Sequence, residues 1–287
     1  MKILFLTRRA WPKIGGVEKH IREVSKALES KGHKITVISE DNIKYPHVKY
    51  LGILFIWRWL FSNRRLIKSA DVVHCHDVFI WYLPFRFFYP RKKCVATIHG
   101  LEWDFPLRKS SLFIKKLTIK LANRTVGVGE FLEKYLKAKF DLVTYGATNI
   151  PKNKNRIKRK EIVYVGRLEA NTGLLNFLSW LSHTKNTKAI FCGDGVLRDV
   201  CEKFGKVYGF TNPDTFTKEA KYCVPGGYLA ALEALNAGCE LKLFWNNKIK
   251  EDYWKMSPFV KEEARVWAKK QTWNKLANEY LNLYNSI

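Results

Sequence analysis

Gly15-Gly16-Val17-Glu18 sets two residues without a Cβ between an apolar run and an amphipathic stretch. The run ahead of it, Ile3-Leu4-Phe5-Leu6, is short and wholly apolar, as a buried parallel strand requires. Behind it, Val17, Ile21, Val24 and Leu28 recur at the spacing of one helix face. A loop that enters a helix at this point presents free backbone N–H groups and the positive end of the helix dipole. Glycine lets an anion come close, so the chemistry on offer is phosphate binding. No Gly-x-Gly-x-x-Gly is present, so the loop is not the dinucleotide fingerprint. Taken alone, a Gly pair equally marks a plain turn.

A chain of 287 residues has room for two domains, and 47% apolar with 14% aromatic residues describes a globular protein. The outlier is charge: 51 Lys and Arg against 26 Asp and Glu give a formal +25. Such a field attracts nucleic acid, an anionic membrane surface or phosphorylated substrates. Surface ion pairing would call for matching acids, so the imbalance favours an anionic partner. The six cysteines (Cys75, Cys94, Cys192, Cys201, Cys223, Cys239) are scattered, without Cys-x-x-Cys or Cys/His ligand spacing. They read as buried free thiols of a reducing compartment. Met1-Lys2 leads straight into the first strand with no signal-peptide pattern, and no stretch reaches the roughly 20 apolar residues of a membrane span. A cytoplasmic protein is expected.

These residues need positioning elements. Ile35-Thr36-Val37-Ile38, Asp71-Val72-Val73-His74, Cys94 to Ile98 and Thr125 to Val128 read as further buried strands separated by helices, the pattern of a doubly wound parallel sheet. Residues 149–160 are polar, basic and contain Pro151, as an interdomain linker does. The pattern then restarts: strands at Ile162–Val165, Ala189–Cys192 and Leu241–Trp245, with helices near Leu174–Leu181, Val196–Phe204 and Tyr228–Ala237. The expected organisation is an N-terminal Rossmann-like domain over 1–150, a basic linker over 151–160, a second Rossmann-like domain over 161–268 and a C-terminal helix over 269–287. Two doubly wound domains facing across a cleft would bind ligands beyond the carboxyl ends of their strands.

Several motifs in this order resemble one family. Gly15-Gly16-Val17-Glu18, Asp71-Val72-Val73-His74-Cys75-His76, Thr97-Ile98-His99-Gly100, Tyr164-Val165-Gly166-Arg167-Leu168, Gly193-Asp194-Gly195, Glu233-Ala234-Leu235-Asn236-Ala237-Gly238 and Trp273-Asn274-Lys275-Leu276 are similar to those of the retaining GT-B glycosyltransferases of family 4. His99 to Trp103 and Thr144 to Ala147, with Gly226-Gly227, resemble its rhamnosyltransferase-like subgroup. The resemblance implies an α/β GT-B fold with the acceptor side in the domain over 1–150, the nucleotide sugar in the domain over 161–268 and the helix over 269–287 crossing back to the first domain. It implies an enzyme that moves a hexosyl or deoxyhexosyl unit from a nucleoside-diphosphate sugar to an acceptor hydroxyl. The acceptor would be a glycan or a lipid-linked molecule. It implies retention of configuration by front-face displacement, no cofactor beyond the co-substrate and no metal, in keeping with the lack of Asp-x-Asp.

In this family's terms His99 and Arg167 are the catalytic candidates: His99 contacts the transferred sugar and Arg167 grips the leaving phosphate. Gly15, Gly16, Arg167, Thr172, Gly226, Gly227, Tyr228 and Glu233 form the donor set, with Glu233 on the ribose hydroxyls and the amides of Gly226, Gly227 and Tyr228 on phosphate or sugar. Glu102, Asp104 and His76 are acceptor-side candidates. The chain departs from the family at Thr172, where a lysine is usual, and at Pro225, where an acid is usual. Those departures keep open a degenerate homologue that binds sugar nucleotide or a polyanion without turnover. Leu51 to Leu60, Arg64-Arg65 and Phe79 to Lys93 mix aromatics with cations, as interfacial elements at an inner membrane face do, and equally as core helices with solvated charges do. Nucleic acid is disfavoured as the partner, since no recognisable module accompanies the charge.

Overall fold

The computed structural model describes residues 1–43, 51–101, 106–149, 159–184 and 187–287. The chain divides into two compact units, one of residues 1–102, 107–144 and 273–287, the other of 103–106 and 145–272.

Unit 1 runs β1 (Lys2–Thr7), α1 (Gly16–Glu29), β2 (Lys34–Ile38), α2 (Glu40–Ile43), α3 (Gly52–Ser62), α4 (Arg65–Ser69), β3 (Val72–His76), α5 (Phe79–Phe88), β4 (Lys93–Ile98), α6 (Lys109–Leu121), β5 (Arg124–Val128), α7 (Phe131–Leu136) and β6 (Leu142–Thr144). Its parallel sheet has the order β2-β1-β3-β4-β5-β6. The chain leaves β1 toward β2 and then crosses to the other side of β1 for β3, so the winding reverses between β1 and β3. Strand alternation sorts the side chains of β3. Val73 and Cys75 join Ile56 and Leu60 of α3 and Phe79, Tyr82 and Phe85 of α5 in one core. His74 and His76 therefore project from the opposite face.

Unit 2 runs β7 (Arg159–Val165), α8 (Leu174–Ser182), β8 (Ala189–Cys192), α9 (Arg198–Glu202), β9 (Gly205–Val207), α10 (Asp214–Glu219), β10 (Ala220–Pro225), α11 (Tyr228–Asn236), β11 (Glu240–Leu241), α12 (Lys248–Lys255) and α13 (Ala264–Lys269). The last helix, α14 (Trp273–Asn285), belongs to unit 1 and lies against α1. The second sheet is parallel in the order β11-β10-β7-β8-β9, with its winding reversal between β7 and β10. Ile162 and Tyr164 of β7 pack with Leu174, Phe177 and Leu178 of α8, while Val163 faces Ala234 of α11.

Some elements differ from expectation. Leu241–Trp245 is not a strand: pairing with β10 stops at Leu241, and the chain turns away so that Phe244 packs on Phe177 and Trp180, 5.4 and 6.1 Å between ring centroids. The helix expected over Val196–Phe204 shortens to α9, because Gly205–Val207 pairs with β8. Most of the expected linker lies outside the described residues, and β7 starts at Arg159. The two aromatic stretches form α3 and α5, each with a buried side in the core and exposed Leu54, Phe55, Phe87 and Phe88 on the other. All six cysteines are buried free thiols. No helix among the described residues is long and apolar enough to cross a membrane.

Candidate active site

The reversal in unit 2 is walled by glycine. The Gly166 N–H donates to Cys192 O (3.1 Å), Leu168 N–H to Asp194 O (2.9 Å) and Gly226 N–H to Val165 O (2.7 Å). A Cβ on Gly193 would run into the Gly166 carbonyl, and one on Gly166 into the Gly226 backbone. The carboxyl ends of β7, β8 and β10 are thus drawn together backbone to backbone, the place where open α/β sheets take ligands. Arg167 rises from this floor. Its side chain is 52% exposed, with Nη1 2.8 Å from Glu169 Oε2.

α11 starts at the same floor, with Gly227 as its N-cap. Of the three amides expected to meet an anion, two are spent inside the protein. The Gly226 N–H is on Val165, and the Tyr228 N–H donates to the Tyr253 hydroxyl at 2.7 Å. Tyr228 is buried, its phenol donates to Tyr253 O (2.6 Å), and the two rings stack at 3.7 Å. Its expected donor contact is therefore corrected to a structural one, leaving Gly227 as the amide without a partner among the described residues. Thr172 is corrected likewise. It is buried, receives the Tyr164 hydroxyl at 2.8 Å and donates to Glu169 O at 2.6 Å, closing the turn behind Arg167. Glu233 is half-buried on α11.

One cation here was invisible to sequence reasoning. Lys250, in the first turn of α12, is 1% exposed. Its Nζ donates to Gly226 O (2.9 Å) and sits 4.1 and 4.9 Å from the ring centroids of Tyr253 and Trp254. Burial, helped by the Arg167 guanidinium, lowers its pKa to about 7.

The reversal in unit 1 carries imidazoles. His76 ends β3 and His99 follows β4; His76 Nδ1 and His99 Nε2 are 3.0 Å apart. Asp77 takes a left-handed backbone (φ 61°), and its carboxylate accepts the His99 N–H at 3.0 Å. Sequence reasoning passed over His20, which lies on the buried face of α1, its Nε2 2.9 Å from the Tyr280 hydroxyl. His74 spans Tyr284 and Thr97, both hydroxyls at 2.7 Å. Burial holds all four imidazoles neutral: His20, His74 and His76 fall well below the usual value and His99 falls to about 3, with Lys115 adding to the effect on His99. His99 is half-buried, and its Nδ1 has no partner among the described residues. A neutral ring so held can exchange a hydrogen bond with a sugar hydroxyl.

One nitrogen each of His20, His76 and His99 lies within 4.8 Å of the other two. This is the one cluster among the described residues that could take a metal. Tetrahedral zinc takes Zn–N of about 2.0–2.1 Å; here His20 Nε2 is bonded to the Tyr280 hydroxyl and His76 Nδ1 to His99 Nε2, while His76 Nε2 is buried without a hydrogen-bond partner.

Gly15 is the N-cap of α1, and a Cβ there would run into the Glu18 carboxylate. The Glu18 carboxylate, three residues into the helix, therefore lies against Gly15 without a side-chain cap hydrogen bond and puts negative charge at the N-terminus expected to receive phosphate. Gly15 and Gly16 keep the loop-to-helix position expected of them. Glu102 and Asp104 lie outside the described residues.

Two parallel doubly wound sheets in these orders have the α/β GT-B fold, on the superpositions that follow. Residues 14–144 match the model of Glycosyltransferase Family 4. No curated protein matches the sequence. Among solved structures, HepE of Anabaena in complex with UDP and glucose superposes with a TM-score of 0.71 at 13% identity over 100% of both chains. A lipopolysaccharide outer core galactosyltransferase, WaaB, in its apo form gives 0.63 at 16% identity over 99% of both. The chain also resembles TarM (0.59, 16%), covering 82% of this chain and 58% of TarM.

Proposed function

We propose that this protein is a retaining glycosyltransferase that moves a hexosyl or deoxyhexosyl unit from a nucleoside-diphosphate sugar to an acceptor hydroxyl on a glycan or lipid-linked molecule. The observation that carries the reading is the glycine-walled reversal of unit 2, where Arg167 follows β7 and the Gly227 amide opens α11, the helix that carries Glu233. Arg167 takes the diphosphate through its two-pronged fork, and Glu233 accepts hydrogen bonds from the ribose hydroxyls. The fold's likeness to HepE, which was solved with UDP and glucose, supports a uridine donor as the first probe.

In the proposed reaction the bond from the anomeric carbon to the β-phosphate oxygen breaks, and a bond to the acceptor oxygen forms on the same face. The acceptor proton passes to the departing phosphate. Charge grows on that phosphate, so Arg167 and the Gly227 N–H contribute most where charge develops. His99, neutral at physiological pH, orients the transferred sugar, and His76 holds the His99 ring through their 3.0 Å contact. In this reading no side chain of the protein acts as nucleophile and the step uses no metal. The exposed aromatics of α3, α5 and α6 amid their cations bring the protein to an anionic membrane face, where a lipid-linked acceptor would lie.

Thermal shift against UDP, GDP and dTDP tests the donor site. One nucleotide should stabilise the wild type and not Glu233→Ala; no response to any would favour the binding-protein reading. With the responding sugar nucleotide, transfer should proceed unchanged in EDTA, and the anomeric proton coupling of the product should match that of the donor. An inverted product overturns retention.

A further inference from the structure

Lys250 is a buried lysine of unit 2 that the reaction above leaves without a role. On the same helix Lys248 and Lys255 are exposed and paired with Glu251 at 2.9 and 2.6 Å, the ordinary arrangement of surface lysines. Lys250 instead turns inward. The Asn247 side chain caps its N–H at 2.9 Å, and its ammonium ends on the Gly226 carbonyl, at the reversal point and under the turn that carries the Gly227 amide. Burying an ammonium costs several kcal/mol unless something at the site favours its charge.

Resting on the donor reading of unit 2, we infer that Lys250 is a positioning residue for the donor diphosphate, holding the Gly226–Gly227 turn from behind and taking up a proton when the donor binds. The groups that face it decide the sign. Arg167 disfavours a second positive charge, and Glu169 draws Arg167 at 2.8 Å. Tyr253 presents its ring, and Lys248, Glu251 and Asp252 share its helix. A diphosphate against Arg167 brings negative charge to the same floor and offsets the repulsion between the two cations. Donor binding then raises the lysine's proton affinity. Affinity is greatest below pH 7 and falls as pH rises through it. With the free amine titrating near pH 7 and the bound one kept charged, Kd should rise about tenfold between pH 6 and pH 8.

Calorimetry of the full chain with UDP-glucose tests this, because the diphosphate diester of that probe does not itself titrate near neutrality. At pH 7.5, heats in phosphate and Tris should differ by the ionisation heat of about 0.8 proton taken up per donor bound. Lys250→Met should bind about tenfold more weakly at pH 6 with no proton uptake, and Lys250→Arg should bind as the wild type does at pH 6 with neither uptake nor pH dependence. A merely structural lysine would weaken binding without removing the proton. Wild-type binding with no proton uptake, or uptake retained in Lys250→Met, overturns the inference and leaves the donor site standing. Absence of wild-type UDP-glucose binding, with no displacement by any nucleoside diphosphate, overturns the donor reading and the inference together. Should Lys250→Met not fold, the wild-type pH profile and Lys250→Arg decide the matter.

Discussion

Arg167 and His99, the proposed catalytic pair, differ in their surroundings: one guanidinium half in solvent, one imidazole held among buried rings. Arg167 is half in solvent and tied to Glu169, so its removal leaves no buried charge orphaned. Arg167→Ala should therefore leave the melting temperature nearly unchanged and lower kcat by about 10²–10³, the cost of one charge-stabilising donor in a transition state. Steady-state kinetics beside a thermal melt check this; a mutant that loses stability and keeps kcat would assign Arg167 to the fold. The imidazoles also act on stability. Their folded-state pKa values are depressed, so the unfolded chain binds protons below pH 6.5 that the folded chain refuses. Stability is complete above pH 6.5 and is lost as pH falls toward the folded values, about 3 for His99. Each histidine adds up to about 1.4 kcal/mol per pH unit to the slope. Urea midpoints from pH 7 to 4.5 should fall steeply, and His76→Asn should lessen the slope by close to one proton.

Among the elements, α14 links the histidines to the end of the chain. Trp273, Leu276, Ala277, Tyr280 and Tyr284 form its buried face, and the two tyrosine hydroxyls meet His20 and His74 at 2.9 and 2.7 Å. Tyr284→Phe removes the hydroxyl and leaves His74 Nδ1 unpartnered, which should cost unit 1 about 1–3 kcal/mol. At about 2–4 °C per kcal/mol for a unit of this size, a melt resolves it; an unchanged melting temperature would mean the bond contributes nothing net. The amphipathic spacing of this helix was legible, as were β1, α1 and β3, because their apolar runs follow a single period. β10 was not. Its Ala-Lys-Tyr-Cys-Val-Pro mixes polar with apolar residues, and it is a strand because β7 and β11 flank it. Lys250 was hidden for a similar reason: amid Lys248, Glu251 and Asp252 it reads as one more surface charge, and only packing against Tyr253 and Trp254 buries it. The glycine loop was legible as the entry to α1, while nothing in Gly-Gly-Val-Glu says that the Glu18 carboxylate lies against Gly15.

At the scale of the whole molecule, the +25 charge far exceeds what a diphosphate needs. Much of it lies in unit 1 beside apolar residues that the core does not use. Phe87 and Phe88 at the end of α5 and Phe113 on α6 are each about two-thirds exposed, and Leu54 and Phe55 of α3 are also exposed. Arg58, Arg64, Arg91, Lys109 and Lys116 are exposed on or next to these three helices, and α5 contacts both α3 and α6. Aromatics reach headgroup depth while cations meet anionic lipid, and neither contribution alone anchors a protein stably. Binding should therefore need both. The protein should co-sediment with vesicles containing phosphatidylglycerol at 0.1 M salt and not with pure phosphatidylcholine, and it should release as salt rises and the screening length falls below about 10 Å. Phe87→Ser with Phe88→Ser should weaken binding at every salt concentration without changing the salt dependence, since the charges stay in place. Equal binding by the double variant would assign the attraction to charge alone, and no binding to anionic vesicles would remove the membrane from the account, leaving the surplus charge to a polyanionic acceptor.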